Sequence, residues 1–128
     1  MSSARKARVF TVLVVEDDPS VRTMTGRMLI NAGYRVHTAA DGREALALLA
    51  RSGQVYAIVT DVRMPYVNGY DLAAQLSVDY PHVPIVFMSG FDIHLGSLAL
   101  PGPVLPKPFR ADQLTDCVER LLRPRQSA

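Results

Sequence analysis

A single cysteine, Cys117, stands among the 128 residues. No disulfide can close within the chain, and a thiolate metal cluster is excluded. With apolar neighbours, Cys117 reads as a small core residue. Lysine is almost as scarce: of 14 basic residues only Lys6 and Lys107 are lysines, the rest being arginine. No apolar run approaches the ~20 residues of a membrane span. The N-terminal "MSSARKARVF" is basic, but the run "VFTVLVV" is short and ends in acids rather than in a signal core. These absences describe a soluble, cytoplasmic chain that does not enter a membrane. No internal repeat, low-complexity stretch or linker interrupts it.

What is present is a packed interior. Hydrophobic residues make up 48% of the chain, which suits one domain with one core. The net charge of +2 misleads, because Arg5, Lys6, Arg8, Arg123 and Arg125 lie near the ends. Between them the chain is mildly acidic. A basic stripe on a folded face, which nucleic acid requires, is lacking. The reading is a basic flexible arm over 1–8, a folded domain over 9–122 and a solvated tail over 123–128.

Strand-like and helix-like segments alternate five times. Val9 to Val15 reads as a strand buried on both faces. Asp18-Pro19-Ser20 carries helix-start chemistry, and Val21, Met24, Met28 and Leu29 form an apolar stripe as far as Asn31-Ala32-Gly33. Tyr34 to Thr38 is a second strand. Asp41-Gly42-Arg43-Glu44 has capping-box spacing and opens a helix through Ala45, Leu48 and Leu49. Tyr56 to Thr60 and Ile85 to Met88 are the third and fourth strands, with a helix from Gly69 to about Val78 between them. Val104-Leu105 is a short fifth, and Ala111 to Leu122 a final helix. This order implies a five-stranded parallel sheet, doubly wound and flavodoxin-like, with helices on both faces. Residues 91–103 hold two glycines and two prolines, so the helix expected between the fourth and fifth strands is short or irregular.

In such a sheet the functional groups gather at the carboxyl ends of the strands. Strand one exits into Glu16-Asp17-Asp18, strand three into Asp61, strand four into Ser89 and strand five into Pro106-Lys107-Pro108. Asp18 alone reads as a helix cap. Clustered carboxylates repel one another unless a cation sits among them, and a hard divalent ion such as Mg²⁺ fits oxygen ligands of this kind. Asp61 then has the character of a nucleophile toward phosphorus, giving an acyl phosphate. Lys107 can pair with one phosphoryl oxygen and the Ser89 hydroxyl can donate to another. A lysine at 107, in a chain that otherwise writes arginine, points to a need for a compact ammonium.

The stretches "VLVVEDDPSVR", "VTDVRMPYVNGYDL", "PIVFMSG" and "LPKPF" occur in an order and spacing that resemble the receiver domain of two-component response regulators, the chemotaxis-regulator type. The resemblance covers roughly residues 9 to 122. It implies that Asp61 is the phospho-acceptor, Asp17 a direct Mg²⁺ ligand, Glu16 a partner acting through water, and the Arg63 backbone carbonyl a third protein ligand. It implies that Ser89 is the switch hydroxyl and Lys107 the phosphate-pairing lysine, with a cis peptide before Pro108. It further implies that a histidine kinase or histidine phosphotransfer protein donates the phosphoryl group. The output surface would lie in 90–122 and the domain would be a monomer or weak homodimer. Such a domain assists its own phosphorylation and dephosphorylation and is not an enzyme acting on an outside substrate.

Three departures from the family pattern stand out. Val104 takes a position that usually holds Tyr or Phe. The segment between Ser89 and Lys107 is shorter than usual. Arg63 and Phe91 are bulky at positions that flank the site. Other readings compete with the switch. An aspartate-nucleophile phosphohydrolase of the haloacid-dehalogenase kind would need an acid where Arg63 stands. A nucleotide- or flavin-binding module would need a Gly-rich loop in place of "EDDPSV". A degenerate receiver that only docks partners would retain this fold without taking up phosphate. His37, His82 and His94 have no metal spacing, and none stands in a long helix suited to carry a phosphoryl group.

Overall fold

The computed structural model describes residues 9–52, 54–64, 67–90 and 100–126. In chain order the elements are β1 (Thr11–Val15), α1 (Pro19–Asn31), β2 (Arg35–Ala39), α2 (Gly42–Ser52), β3 (Ala57–Asp61), α3 (Gly69–Asp79), β4 (Ile85–Ser89), β5 (Val104–Pro106) and α4 (Ala111–Gln126). The strands form one sheet in the order β2-β1-β3-β4-β5, and every neighbouring pair is parallel. The doubly wound expectation therefore holds. β1, β3 and β4 are buried along their whole length, as continuous apolar runs covered on both faces must be.

The pleat divides the core in two. On one face Leu13, Val15, Ile58 and Phe87 pack with Ala45 and Leu49 of α2 and with Leu72 and Leu76 of α3. On the other Val12, Val14, Val59 and Val86 pack with Leu29 of α1 and with Leu114, Val118 and Leu122 of α4. Alternate residues of β1 thus serve opposite layers, as the two-residue period of a strand requires.

The helix starts follow local chemistry. Asp18 Oδ1 accepts from the amides of Ser20 and Val21 at 2.8 and 3.2 Å. Glu44 N–H donates to Asp41 Oδ1 at 2.9 Å, as in a capping box, while Glu44 Oε1 reaches one residue past the cap and accepts from Ala40 N–H at 2.7 Å. Asn68 Oδ1 caps α3 by accepting from Asp71 N–H at 2.9 Å.

Two expectations need correcting. The inward side of α1 is Thr25, Gly26 and Leu29, not a stripe through Met24, which is 46% exposed. Gly26 lies over Val36 and Thr38 of β2, so α1 approaches the sheet through its smallest residue. A search for apolar spacing passes over such a residue. α4 also runs to Gln126 rather than ending at Leu122. Apolar spacing marks where a helix faces a core, and backbone hydrogen bonds carry it further without that spacing. The 1–8 arm, Phe91, His94 and most of the 91–103 segment, where a short or irregular helix is expected, lie outside the described residues.

Candidate functional site

Every strand-end residue singled out above reaches the same edge of the sheet. Asp61 is the last residue of β3 and Ser89 the last of β4; Glu16 follows β1 and Lys107 follows β5. Main-chain bonds continue the ladder past the strands and hold these positions. Glu16 N–H donates to the Ala39 carbonyl at 3.0 Å, Val62 N–H to Met88 at 3.1 Å, and Lys107 N–H to Ser89 at 2.7 Å. The Lys107–Pro108 peptide is cis.

The side chains form one charged cluster. Lys107 Nζ donates to Glu16 Oε1 at 2.7 Å and to Asp61 Oδ2 at 3.0 Å. Glu16 Oε2 accepts from Asp18 N–H at 3.1 Å. Asp61 Oδ1 accepts from Arg63 N–H at a long 3.4 Å, which begins the loop out of β3. Glu16 and Asp61 are buried and Asp17 is exposed; one carboxylate oxygen from each of the three lies within 4.8 Å of the others. Burial of Glu16, opposed by its bond to Lys107 and reinforced by the charge of Asp61, pushes its pKa up to about 7. Burial pulls the Lys107 pKa down, but its bonds to Glu16 and Asp61 outweigh that and leave it raised. Three carboxylates thus share one ammonium, and burial makes ionisation of Glu16 costly.

This donor set fits a hard divalent cation. The oxygens belong to three carboxylates, two of them buried and one exposed, and a cation among them would favour the ionised form of Glu16 that burial disfavours. Ser89 is 1% exposed, and its hydroxyl donates weakly to the Gly90 carbonyl at 3.3 Å. No hydrogen bond joins Ser89 to Asp61 among the described residues, so it neighbours the acids without being tied to them. Val104 pairs with Phe87 in the β4–β5 register and packs half-buried against the Phe87 layer.

Sequence reasoning missed three supports of this site. Lys107 rests on Glu16 as well as on Asp61. Gly69 lets α3 start against the backbone of Asp61 and Val62, where an added Cβ would meet Asp61 O at 2.7 Å. Arg22 Nη1 donates to the Glu16 carbonyl at 2.9 Å. The spacing of Arg22, one helical turn inside a cap that follows an acid cluster, was the available signal. A cavity of about 360 Å³ opens at the far edge of the sheet between Leu76, Tyr80, Pro84 and Pro101, and no carboxylate, Lys or Arg lines it.

The fold and site together define a class: a parallel α/β sheet whose carboxyl edge presents an acid triad and one lysine. The sequence model of the response regulator receiver domain matches residues 12–119. The chain belongs to the receiver domain family of two-component systems. It is 38% identical over 117 residues to the sensor kinase CckA of Brucella abortus, covering 88% of this chain and 12% of that protein. It is 39% identical over 116 residues to the response regulator MprA of Mycolicibacterium vanbaalenii, covering 88% of this chain and 50% of that one. The chain thus spans half or less of the length of these relatives. Among solved structures, the chemotaxis response regulator CheY4 of Vibrio cholerae superposes with a TM-score of 0.81 at 31% identity, over 90% of this chain and all of that one. No helix among the described residues is long and apolar enough to cross a membrane.

Proposed function

We propose that this domain is a cytoplasmic switch that takes a phosphoryl group on Asp61 from a phosphohistidine of a histidine kinase or histidine phosphotransfer protein. An Asp61 carboxylate oxygen attacks phosphorus, the phosphorus–nitrogen bond breaks with its electrons going to nitrogen, and the imidazole, protonated on its other ring nitrogen, leaves as neutral histidine. The product is an acyl phosphate on Asp61. Glu16, Asp17, Asp61 and the Arg63 carbonyl would hold Mg²⁺, which when bound supplies charge neutralisation to the phosphoryl oxygens. Lys107, already at Asp61, pairs with a phosphoryl oxygen, and Ser89 turns its hydroxyl from Gly90 toward another. That turn favours a second conformation and changes which partner the 90–122 region accepts. The domain assists both its own phosphorylation and its own dephosphorylation.

The observation that carries this reading is the Lys107 ammonium bridging Glu16 and Asp61 at the strand ends. A docking module would have no need of an acid cluster bound to a single lysine. The test is intact mass after incubation with Mg²⁺ and acetyl phosphate. One phosphoryl group should be gained, and the gain should vanish in Asp61→Asn and on chelation of Mg²⁺. No uptake from acetyl phosphate or a phosphoramidate, together with no beryllofluoride binding, would leave the docking module as the reading, with Val104 and the segment before it as the first places to look.

A further inference from the structure

Arg22 has no part in the phosphoryl transfer described above, yet it touches the site. It stands in the first turn of α1, and its Nη1 donates to the Glu16 carbonyl at 2.9 Å from a partly buried position. That carbonyl belongs to the peptide joining Glu16 to Asp17. The other side of Glu16 is already fixed, its N–H on Ala39 and its carboxylate on Lys107 and Asp18 N–H. The exposed Asp17 side chain makes no hydrogen bond of its own among the described residues. Where its carboxylate points is therefore set by the peptide before it and by the α1 cap after it.

We infer that Arg22 is a positioning residue for the cation site, clamping the Glu16–Asp17 peptide so that the Asp17 carboxylate stays beside those of Glu16 and Asp61. This rests on the reading that the acid triad binds Mg²⁺. Two effects of Arg22 oppose each other. Its positive charge repels a cation, and its hydrogen bond orders a ligand. Arg22 is only partly buried, so solvent and salt screen its charge. A charged donor on a backbone carbonyl at 2.9 Å is a strong, directional restraint. Orientation therefore outweighs repulsion, and the two effects predict opposite signs for loss of the side chain.

The experiment is a calorimetric Mg²⁺ titration of the whole chain in wild type, Arg22→Gln, Arg22→Lys and Arg27→Gln. Arg27 is an exposed arginine of the same helix and controls for loss of one charge. Arg22→Gln should weaken Mg²⁺ binding by about tenfold, the low end for a group that supports a metal ligand. Arg22→Lys should recover much of that, and Arg27→Gln should match wild type. With acetyl phosphate as donor, the half-saturating Mg²⁺ for Arg22→Gln should rise by the same factor, while uptake at saturating Mg²⁺ stays within about twofold of wild type. Unchanged or tighter Mg²⁺ binding in Arg22→Gln would overturn the assignment. So would a fall in saturated uptake that tracks a loss of thermal stability, since Arg22 would then be merely structural. Absence of Mg²⁺ binding in wild type would remove the metal reading and this inference with it, a result distinct from a change confined to the variant.

Discussion

Single residues decide whether the carboxyl edge is usable, and two glycines show it with opposite signs. Gly69 starts α3 where a Cβ would meet Asp61 O at 2.7 Å and Val62 Cα at 2.8 Å. Both are backbone atoms that no rotamer change can move. Gly69→Ala must displace either α3 or the strand end that carries Asp61. It should cost about 1–3 kcal/mol in urea unfolding and should slow phosphoryl uptake more than a distant variant of equal stability does. Gly26 is the converse. A Cβ there would sit 3.7 Å from Val36 and 3.8 Å from Thr38, an ordinary contact inside a helix. Gly26→Ala should raise stability by roughly 0.5–1 kcal/mol, because alanine loses less backbone freedom. Beside it, Thr25 is fully buried and its hydroxyl has no hydrogen-bond partner among the described residues. An unpaired buried hydroxyl costs free energy, so the near-isosteric Thr25→Val should raise the unfolding midpoint by the equivalent of about 1 kcal/mol. A lower midpoint would mean that the hydroxyl finds a partner in solution.

Elements were legible where periodicity and caps agreed. β1, β3 and β4 are apolar runs closed by a polar exit, and α1 and α2 begin at the capping residues read for them. α1 was legible as a helix but not as an oriented one. Its buried arc runs through Thr25 and Gly26, which carry little hydrophobic signal, and leaves Met24 and Ile30 in solvent. The orientation comes from the fit of a small residue over β2, a tertiary property that composition along the helix does not encode. Mutational energies should follow the structure rather than the stripe. Leu114 of α4 is fully buried between α4 and the sheet, and Leu114→Ala should cost about 2–5 kcal/mol. Met24→Ala should stay within about 0.5 kcal/mol. Comparable losses for the two in denaturant titrations would restore the stripe that includes Met24. The site was legible for a related reason. Asp61, Ser89, Glu16 and Lys107 each stand at a strand exit, and parallel strands bring all exits to one edge. Arg22 and the Glu16–Lys107 pair escaped because they depend on how α1 and β5 lie across the sheet from one another.

At the scale of the whole molecule, folding brings Asp61 to the adjacent pair Glu16 and Asp17, and one lysine stands against three carboxylates. The cost falls on Glu16, whose pKa is raised by burial from 4.5 to about 7. A folded-state pKa above the unfolded one means that the native protein binds more protons between those values. The contribution of Glu16 is therefore fully favourable below about pH 4.5 and is lost as pH rises toward 7. Lys107, whose pKa is raised, keeps its charge throughout that window and does not offset the loss. Without divalent cation, stability should decline from pH 5 to 7.5 once the other titrations are matched by a Glu16→Gln reference. In that variant the decline should flatten, since the amide cannot titrate and can still accept from Lys107. Mg²⁺ binding requires the carboxylate form, so added Mg²⁺ should raise the melting temperature at pH 7.5 and much less at pH 5. At a hundred times its dissociation constant the stabilisation approaches about 2.7 kcal/mol. Melting curves over this pH range, with Mg²⁺ and with chelator, provide the check. An equal effect of Mg²⁺ at both pH values would mean that the ion binds away from Glu16, and the acid triad would then owe its charge balance to Lys107 alone.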